Sequence, residues 1–163
     1  MISIIAAIGK NGELGKNNSL IWHLPGDLKF FMDITINNKV IMGLNTYNSI
    51  GKALLNRKNV VLADNKNKVK DKKIIVYDKI EEMIEKELND SNENFIIGGS
   101  SLYNYFYNLA DKMYLTLIDA EDNGADTYFP SINYDAWKQT EISKNEDNNI
   151  KYKHVLFERI NNE

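Results

Sequence analysis

The chain has 163 residues, 43% of them hydrophobic, and a formal net charge of -3 at pH 7, which suits one compact domain, residues 1–163, with a core of its own. It contains no cysteine and two histidines, so disulfides, thiolate metal sites and a cysteine nucleophile are excluded, no metal is expected, and redox chemistry must come from an organic cofactor. The mild negative charge gives no general attraction to nucleic acid or anionic membrane, no apolar run reaches spanning length, and the first seven residues lack a basic flank; a cytoplasmic protein is expected.

In chain order, residues 2–7 read as a first apolar strand. Residues 9–24 follow as a long, glycine-spaced segment with Gly12, Gly15, Asn17 and Asn18, then the apolar cluster around Leu20, Trp22 and Leu24. It reads as a lid over a site or as a plug for the core; His23 within it reads as exposed. Pro25-Gly26-Asp27 opens a helix carrying Leu28, Phe31 and Met32. Residues 40–42 form a strand, and Asn45 or Thr46 can cap a short helix that ends at Gly51. Residues 60–62 and 74–76 are strands, and the lysine-rich stretch 66–73 between them reads as a solvated hairpin surface. Asp78-Lys79-Ile80-Glu81 has the capping-box pattern and predicts a helix to about Leu88. After a strand at 95–97 and the pair Gly98-Gly99, a helix is predicted from Ser100-Ser101 through Leu109. Residues 113–118 and 152–158 alternate apolar with polar and suit antiparallel strands closing one edge of a mixed sheet. The class is α/β, with a mostly parallel sheet.

Asp27 and Phe31, four apart on one helix, share a face, which aims a carboxylate at an apolar wall. Two readings stay open: an acid serving the helix dipole and its free amides, or a carboxylate that needs a ligand with an amidine-like edge to satisfy it. Gly98-Gly99 lets a backbone approach an oxygen closely and points helix amides at an anion, yet an ordinary tight turn fits it equally. The junction Met42-Gly43-Leu44-Asn45-Thr46 has the same form, and two such junctions can clamp one dinucleotide from both sides. Arg57 can hold a carboxylate with two parallel hydrogen bonds or join a surface ion pair.

The stretches Ile5-Ala6-Ala7, Leu14-Gly15, Trp22 to Leu28, Val40-Ile41-Met42-Gly43, Thr46 to Gly51, Arg57-Lys58-Asn59, Ile97-Gly98-Gly99, Tyr114-Leu115-Thr116 and Asp126 to Pro130 stand in an order and spacing that resembles the bacterial dihydrofolate reductases along nearly the whole chain. The resemblance implies an eight-stranded, mixed, mostly parallel sheet with four flanking helices. It also implies reduction of 7,8-dihydrofolate to 5,6,7,8-tetrahydrofolate, by hydride transfer from a reduced nicotinamide cofactor to pterin C6 with protonation at N5, supplying one-carbon metabolism and thymidylate synthesis. A monomer that binds antifolate inhibitors is implied as well.

On that resemblance Asp27 accepts hydrogen bonds from the pterin's N3 and 2-amino groups, helped by Thr116. Ile5, Ala6, Leu28, Phe31, Ile50, Leu54 and Ile97 surround the substrate's rings, and Arg57 pairs with its glutamate carboxylate. Trp22 and Leu20 belong to the lid, Leu20 standing where the family usually has methionine. Main-chain groups of Ala7 and Leu14 hold the nicotinamide carboxamide, with Tyr103 near the ring and the Gly98-Gly99 bond cis. Gly15, Gly43, Leu44, Asn45, Thr46, Leu62, Ala63, Asp64, Ile97, Ser100, Ser101 and Leu102 complete the cofactor site. NADPH is the expected cofactor, but Leu44, Asp64 and Ser101 replace the residues that usually hold its 2'-phosphate, and an acid near a ribose favours a free hydroxyl. Acceptance of NADH is therefore expected, unless Lys66 or Lys68 supplies the missing charge. A reductase for a riboflavin-pathway pyrimidine is the related alternative, disfavoured by residues 22–28 and Arg57. A non-catalytic folate- or dinucleotide-binding protein is the alternative of another class.

Overall fold

A computed structural model describes residues 1–161. In chain order it contains β1 (Ile2–Ile8), β2 (Glu13–Lys16), β3 (Ser19–Leu20), α1 (Pro25–Thr35), β4 (Lys39–Gly43), α2 (Leu44–Ile50), β5 (Lys58–Leu62), β6 (Ile74–Tyr77), α3 (Ile80–Glu87), β7 (Asn94–Gly98), α4 (Ser100–Phe106), β8 (Lys112–Ile118), β9 (Thr127–Tyr128), β10 (Trp137–Asp147) and β11 (Ile150–Arg159). Eight strands form one sheet in the order β10-β11-β8-β1-β7-β4-β5-β6, and β3-β2-β9 form a second, small one.

The apolar runs of β1, β4, β5 and β7 are continuous because both faces of the sheet are covered. Ile4, Ala6, Ile8, Ile41, Val60 and Ile96 point to one layer, which includes Met83 of α3 and Leu102 and Phe106 of α4. Their alternates Ile5, Val40, Met42, Val61 and Phe95 point to the other, against Phe30, Phe31 and Ile34 of α1 and Tyr47 and Ile50 of α2. Side chains such as Phe95 and Ile41 are fully buried, each contributing about 1.5–3 kcal/mol.

Several local expectations are corrected. The stretch 66–73 is no hairpin: β5 and β6 are parallel, so it is a crossover connection, with a single turn of 3-10 helix at Lys66–Lys68. Strand β8 runs parallel to β1 and only β11 is antiparallel to it; the edge is β10, whose mostly exposed, charged residues give no alternating apolar signal. The capping box does not form, since Lys79 is the N-cap of α3 and no side chain caps it. Neither Asn45 nor Thr46 caps α2, which starts from Gly43, although it does end at a left-handed Gly51. Helix α4 stops at Phe106, leaving Leu109 exposed.

Segment 9–24 is more regular than its glycines suggest. Asn17 and Asn18 both have positive φ and turn β2 into β3, as an Asn pair favours in a two-residue hairpin. Asn148 and Asn149 do the same between β10 and β11.

Candidate active site

Helix α1 starts without a cap of its own, because Leu24 at the N-cap position has no side-chain acceptor. Pro25 needs no partner for its nitrogen, and the Gly26 amide is satisfied from the far end of the chain, donating to Asp147 Oδ2 at 2.7 Å. The Tyr152 hydroxyl donates to the same oxygen at 2.6 Å. Tyr152 and the Gly26 amide hold the Asp147 carboxyl below its usual range, while burial and this carboxylate push the Tyr152 phenol up. That clamp fixes the turn from which Asp27 projects.

Asp27 faces a row of side chains set by strand register. Ala7 of β1, Thr116 of β8, His154 of β11 and Ser143 of β10 are successive cross-strand partners and therefore point to the same face. The Thr116 hydroxyl donates to Asp27 Oδ1 at 2.5 Å, and His154 Nε2 lies 3.0 Å from that oxygen. The Asp27 side chain is 21% exposed and that of His154 3%. Among the described residues no protein donor reaches Asp27 Oδ2, so one carboxylate oxygen is free for a ligand. His154 went unnoticed in the sequence; its partner is 127 residues away.

Around this group Ile5 is buried, and Phe31, Ile50, Leu54 and Ile97 are half-buried in the same cluster. Leu28 is exposed and free to cover a ligand. Ala6 departs from expectation: its side chain belongs to the opposite layer, leaving only its backbone on this side. Arg57 makes no ion pair among the described residues. Its Nε donates to Thr35 Oγ1, Nη1 to Leu55 O and Nη2 to Met32 O, which pins the end of α1 to the loop before β5 and leaves one N–H on each terminal nitrogen.

The two glycine junctions converge because β4 and β7 are neighbours. Gly98-Gly99 is a cis peptide, and Gly98 has φ 135°, a conformation that favours glycine. A Cβ on Gly98 would lie 3.1 Å from Thr46 Oγ1, and one on Gly43 would lie 3.9 Å from the Gly99 amide nitrogen. The cradle is thus built of bare backbone plus the Thr46 hydroxyl, which fits the close approach of a dinucleotide's phosphates. Leu102 and Tyr103 turn into the core, Tyr103 donating its hydroxyl to Ile5 O at 2.7 Å; Ser100 and Ser101 open α4 on the outside. At the end of β5 Ala63 is buried, and exposed Asp64 holds Lys68 at 3.0 and 3.2 Å through its two oxygens.

The lid is tied down from below. Gly9 lies against Trp22, whose ring would stand 2.6 Å from an added Cβ, and Leu14 packs on the main core. Leu24 is buried with Ile118 and Tyr152 while Trp22 packs on them half-buried, so the plug reading holds for Leu24; Leu20 is 63% exposed. Two acids not singled out from sequence anchor the segment. Asp126 Oδ2 accepts the Asn17 amide at 2.8 Å and its own amide donates to Gly15 O. Buried Glu13 accepts from the amides of Asn11 at 2.6 Å and Asp122 at 2.8 Å. Burial pushes the Glu13 carboxyl up, but these amides bring it net below its ordinary value. A concavity of about 970 Å³, lined by Lys10, Pro130, Tyr134 and Lys151, includes none of Asp27, Thr116, Ser143 and His154.

A sheet with glycine turns at the carboxyl ends of adjacent strands, beside a carboxylate with one unused oxygen, has the two parts that a nicotinamide-dependent reductase needs, a phosphate cradle and an anchor for a polar substrate. Residues 1–159 match the family described as dihydrofolate reductase. The dihydrofolate reductase of Buchnera aphidicola is 42% identical over 137 residues, covering 84% of this chain and 82% of that protein. That of Bacillus subtilis is 35% identical, covering 99% and 96%. A solved dihydrofolate reductase from Enterococcus faecalis, complexed with NADP(H) and RAB-propyl, superposes with a TM-score of 0.85 at 30% identity, covering 99% and 97%. The chain belongs to the dihydrofolate reductase family, and it reduces dihydrofolate to tetrahydrofolate with a nicotinamide cofactor.

Proposed function

We propose that Asp27 is the group that binds and orients the pterin, on the observation that Oδ1 is occupied by Thr116 and His154 while Oδ2 has no partner among the described residues. The pterin's N3–H and 2-amino group present two donors side by side, and the charged Oδ2 accepts from that edge. Thr116 spends its hydroxyl hydrogen on Asp27, so its oxygen lone pairs are left to accept from the 2-amino group.

When bound across the Gly43 and Gly98-Gly99 turns, the nicotinamide cofactor supplies the hydride for pterin C6. The chain's own groups do the rest. The Asp27 charge favours the substrate protonated at N5, water delivering the proton; Ile5, Phe31, Ile50, Leu54 and Ile97 hold the rings; Trp22 and the lid exclude bulk water. The two remaining N–H groups of Arg57 take the glutamate carboxylate. Antifolates carrying the same donor pair bind Asp27 likewise, and the protein acts as a cytoplasmic monomer.

For the cofactor the reading is narrower selectivity for NADPH over NADH. Leu44 and Ser101 are uncharged, and Lys68 is engaged by Asp64, so a 2'-phosphate must compete with a carboxylate for that lysine. The experiment is loss of nicotinamide absorbance with dihydrofolate, for wild type and Asp27→Asn. A fall of at least about a hundredfold in kcat/KM, the range for removing one preorganised electrostatic contact, supports the reading; unchanged turnover overturns it.

A further inference from the structure

Burying an imidazole is costly unless both nitrogens are satisfied, and an apolar ring would pack as well at this position. His154 is nonetheless only 3% exposed. Its ring is held in one plane, stacked on Phe30 with centroids 3.7 Å apart and planes 8° off parallel, with the Tyr152 ring edge-on at 5.5 Å.

The two nitrogens have different neighbours. Nε2 faces Asp27 Oδ1 at 3.0 Å. Nδ1 faces Ser143 Oγ at 3.0 Å, with the Asn145 amide nitrogen at 3.4 Å. Asn145 also donates to Ser143 Oγ at 3.0 Å, so Ser143 accepts from Asn145 and its hydroxyl hydrogen is free to point at Nδ1. The pairing of β10 with β11 shifts register between Glu141 and Ser143, an irregularity of the kind that re-aims a side chain, and it is what sets Ser143 opposite His154.

We propose that His154 is a positioning residue for the pterin-binding carboxylate: a neutral imidazole whose Nδ1 accepts from Ser143 and whose Nε2–H donates to Asp27 Oδ1, fixing which oxygen is left for the ligand. The proposal rests on the reading of Asp27 given above. With Oδ1 held by Thr116 and His154 together, the carboxylate cannot rotate to exchange its two oxygens, and the pair retains the single negative charge that favours a protonated pterin. Without the imidazole donor, Thr116 alone holds Oδ1 and the carboxylate is free to swing. The loss falls on an interaction made in ground and transition states alike, so it is read mainly in KM.

The test uses the whole protein. His154→Phe keeps the ring on Phe30 and removes the donor; His154→Gln removes the ring and keeps an N–H; Ser143→Ala frees Nδ1. Expected for His154→Phe is a rise in the KM for dihydrofolate of about tenfold, what a hydrogen bond to a charged group supplies, with kcat changed less than about threefold. His154→Gln recovers most of it, and affinity for the nicotinamide cofactor alone is unchanged in all three. If His154→Phe does not fold, nitrogen-15 spectra of the wild type decide, His23→Gln assigning the second histidine. The Nε2–H tautomer is expected; a proton on Nδ1 overturns the proposal, as does an unchanged KM in a folded His154→Phe. Asp27→Asn separates the two failures: turnover that survives it removes the reading of Asp27, whereas turnover that collapses beside an unaffected His154→Phe removes only the role of His154.

Discussion

The Asp147 carboxylate accepts the Gly26 amide at 2.7 Å across 121 residues of sequence, so the first turn of the helix that carries Asp27 is capped by the β10–β11 hairpin. A helix whose N-cap residue is a leucine borrows its acceptor from another element. The site's carboxylate is thereby referenced to the sheet edge rather than to its own loop.

Glycine at position 26 is the steric condition for that clamp, since a Cβ there would lie 2.4 Å from the Tyr152 hydroxyl and 2.9 Å from Asp147 Oδ2. Gly26→Ala is expected to destabilise by about 1–3 kcal/mol, the usual cost of overpacking, and Asp147→Ala to lower Tm as well. Both should lower kcat/KM for dihydrofolate, by displacing Asp27. Thermal unfolding followed beside steady-state kinetics checks this, and Gly26→Ala with wild-type Tm would refute it.

What the sequence reveals here is local chemistry. Pro25 at a helix start, Gly51 at a helix end and Gly98 at a positive φ each follow from the backbone preference of one residue type, and the glycine junctions were legible for that reason. The polar network was not. His154 lies between exposed Lys151 and Lys153 on one side and Val155 on the other, and its being in phase with Tyr152 is the only local sign that it points inward. Its partner Asp27, like the Gly26 amide that Asp147 accepts, lies on α1 and is set by how that helix docks on the β10–β11 end of the sheet. Lys66 and Lys68 look alike in sequence for a different reason: only the single 3-10 turn at Lys66–Lys68 selects Lys68, four residues on, as the partner of Asp64.

That ion pair yields a second expectation. With Lys68 shared between Asp64 and any 2'-phosphate, the kcat/KM ratio for NADPH over NADH should be well under about a thousandfold. Lys68→Ala should lower the ratio and Asp64→Ser raise it, each by about two- to fivefold, the scale of one exposed charge pair. Steady-state kinetics with both cofactors decide: a thousandfold preference in wild type sinks the idea, and a ratio that rises in Lys68→Ala or falls in Asp64→Ser sinks the role of the pair.

Arg57 has a structural and a ligand-facing half. Three of its donors hold Thr35, Leu55 and Met32, so Arg57→Lys loses the fork geometry on both sides. The KM for dihydrofolate should rise about tenfold or more, as expected for losing charge-assisted hydrogen bonds, while a pterin lacking the glutamate is turned over with little change. Equal loss on both substrates would mean that Arg57 acts only through the position of α1.

Acid should unfold the protein through the carboxylates that the fold holds below their ordinary range, buried Glu13 and Glu87 and exposed Asp90. Burial alone would push Glu87 up, but Lys58, the Tyr77 hydroxyl and Lys39 bring it net below its ordinary value, with Lys39 and Lys58 nitrogens 3.2 and 3.0 Å away. Glu13 is likewise held low by the Asp122 and Asn11 amides, and Asp90 is drawn down to about 2, chiefly by Asn94, with Lys39 adding to it. A carboxyl whose folded pKa lies below its unfolded one contributes stability above the unfolded value, about 4 to 4.5, and loses it as pH falls through the folded value. Tm should therefore hold steady with respect to these groups from neutral pH to about 5 and drop steeply below about 4. Glu13→Gln keeps the side chain's shape but cannot titrate. It should cost about 1–3 kcal/mol at pH 7, by setting an amide nitrogen or a weaker acceptor against the two backbone N–H groups, and should flatten the acid limb of the Tm–pH curve. A variant that loses stability at pH 7 yet keeps the full wild-type acid slope would show that Glu13 packs the lid without carrying its charge into the fold's stability.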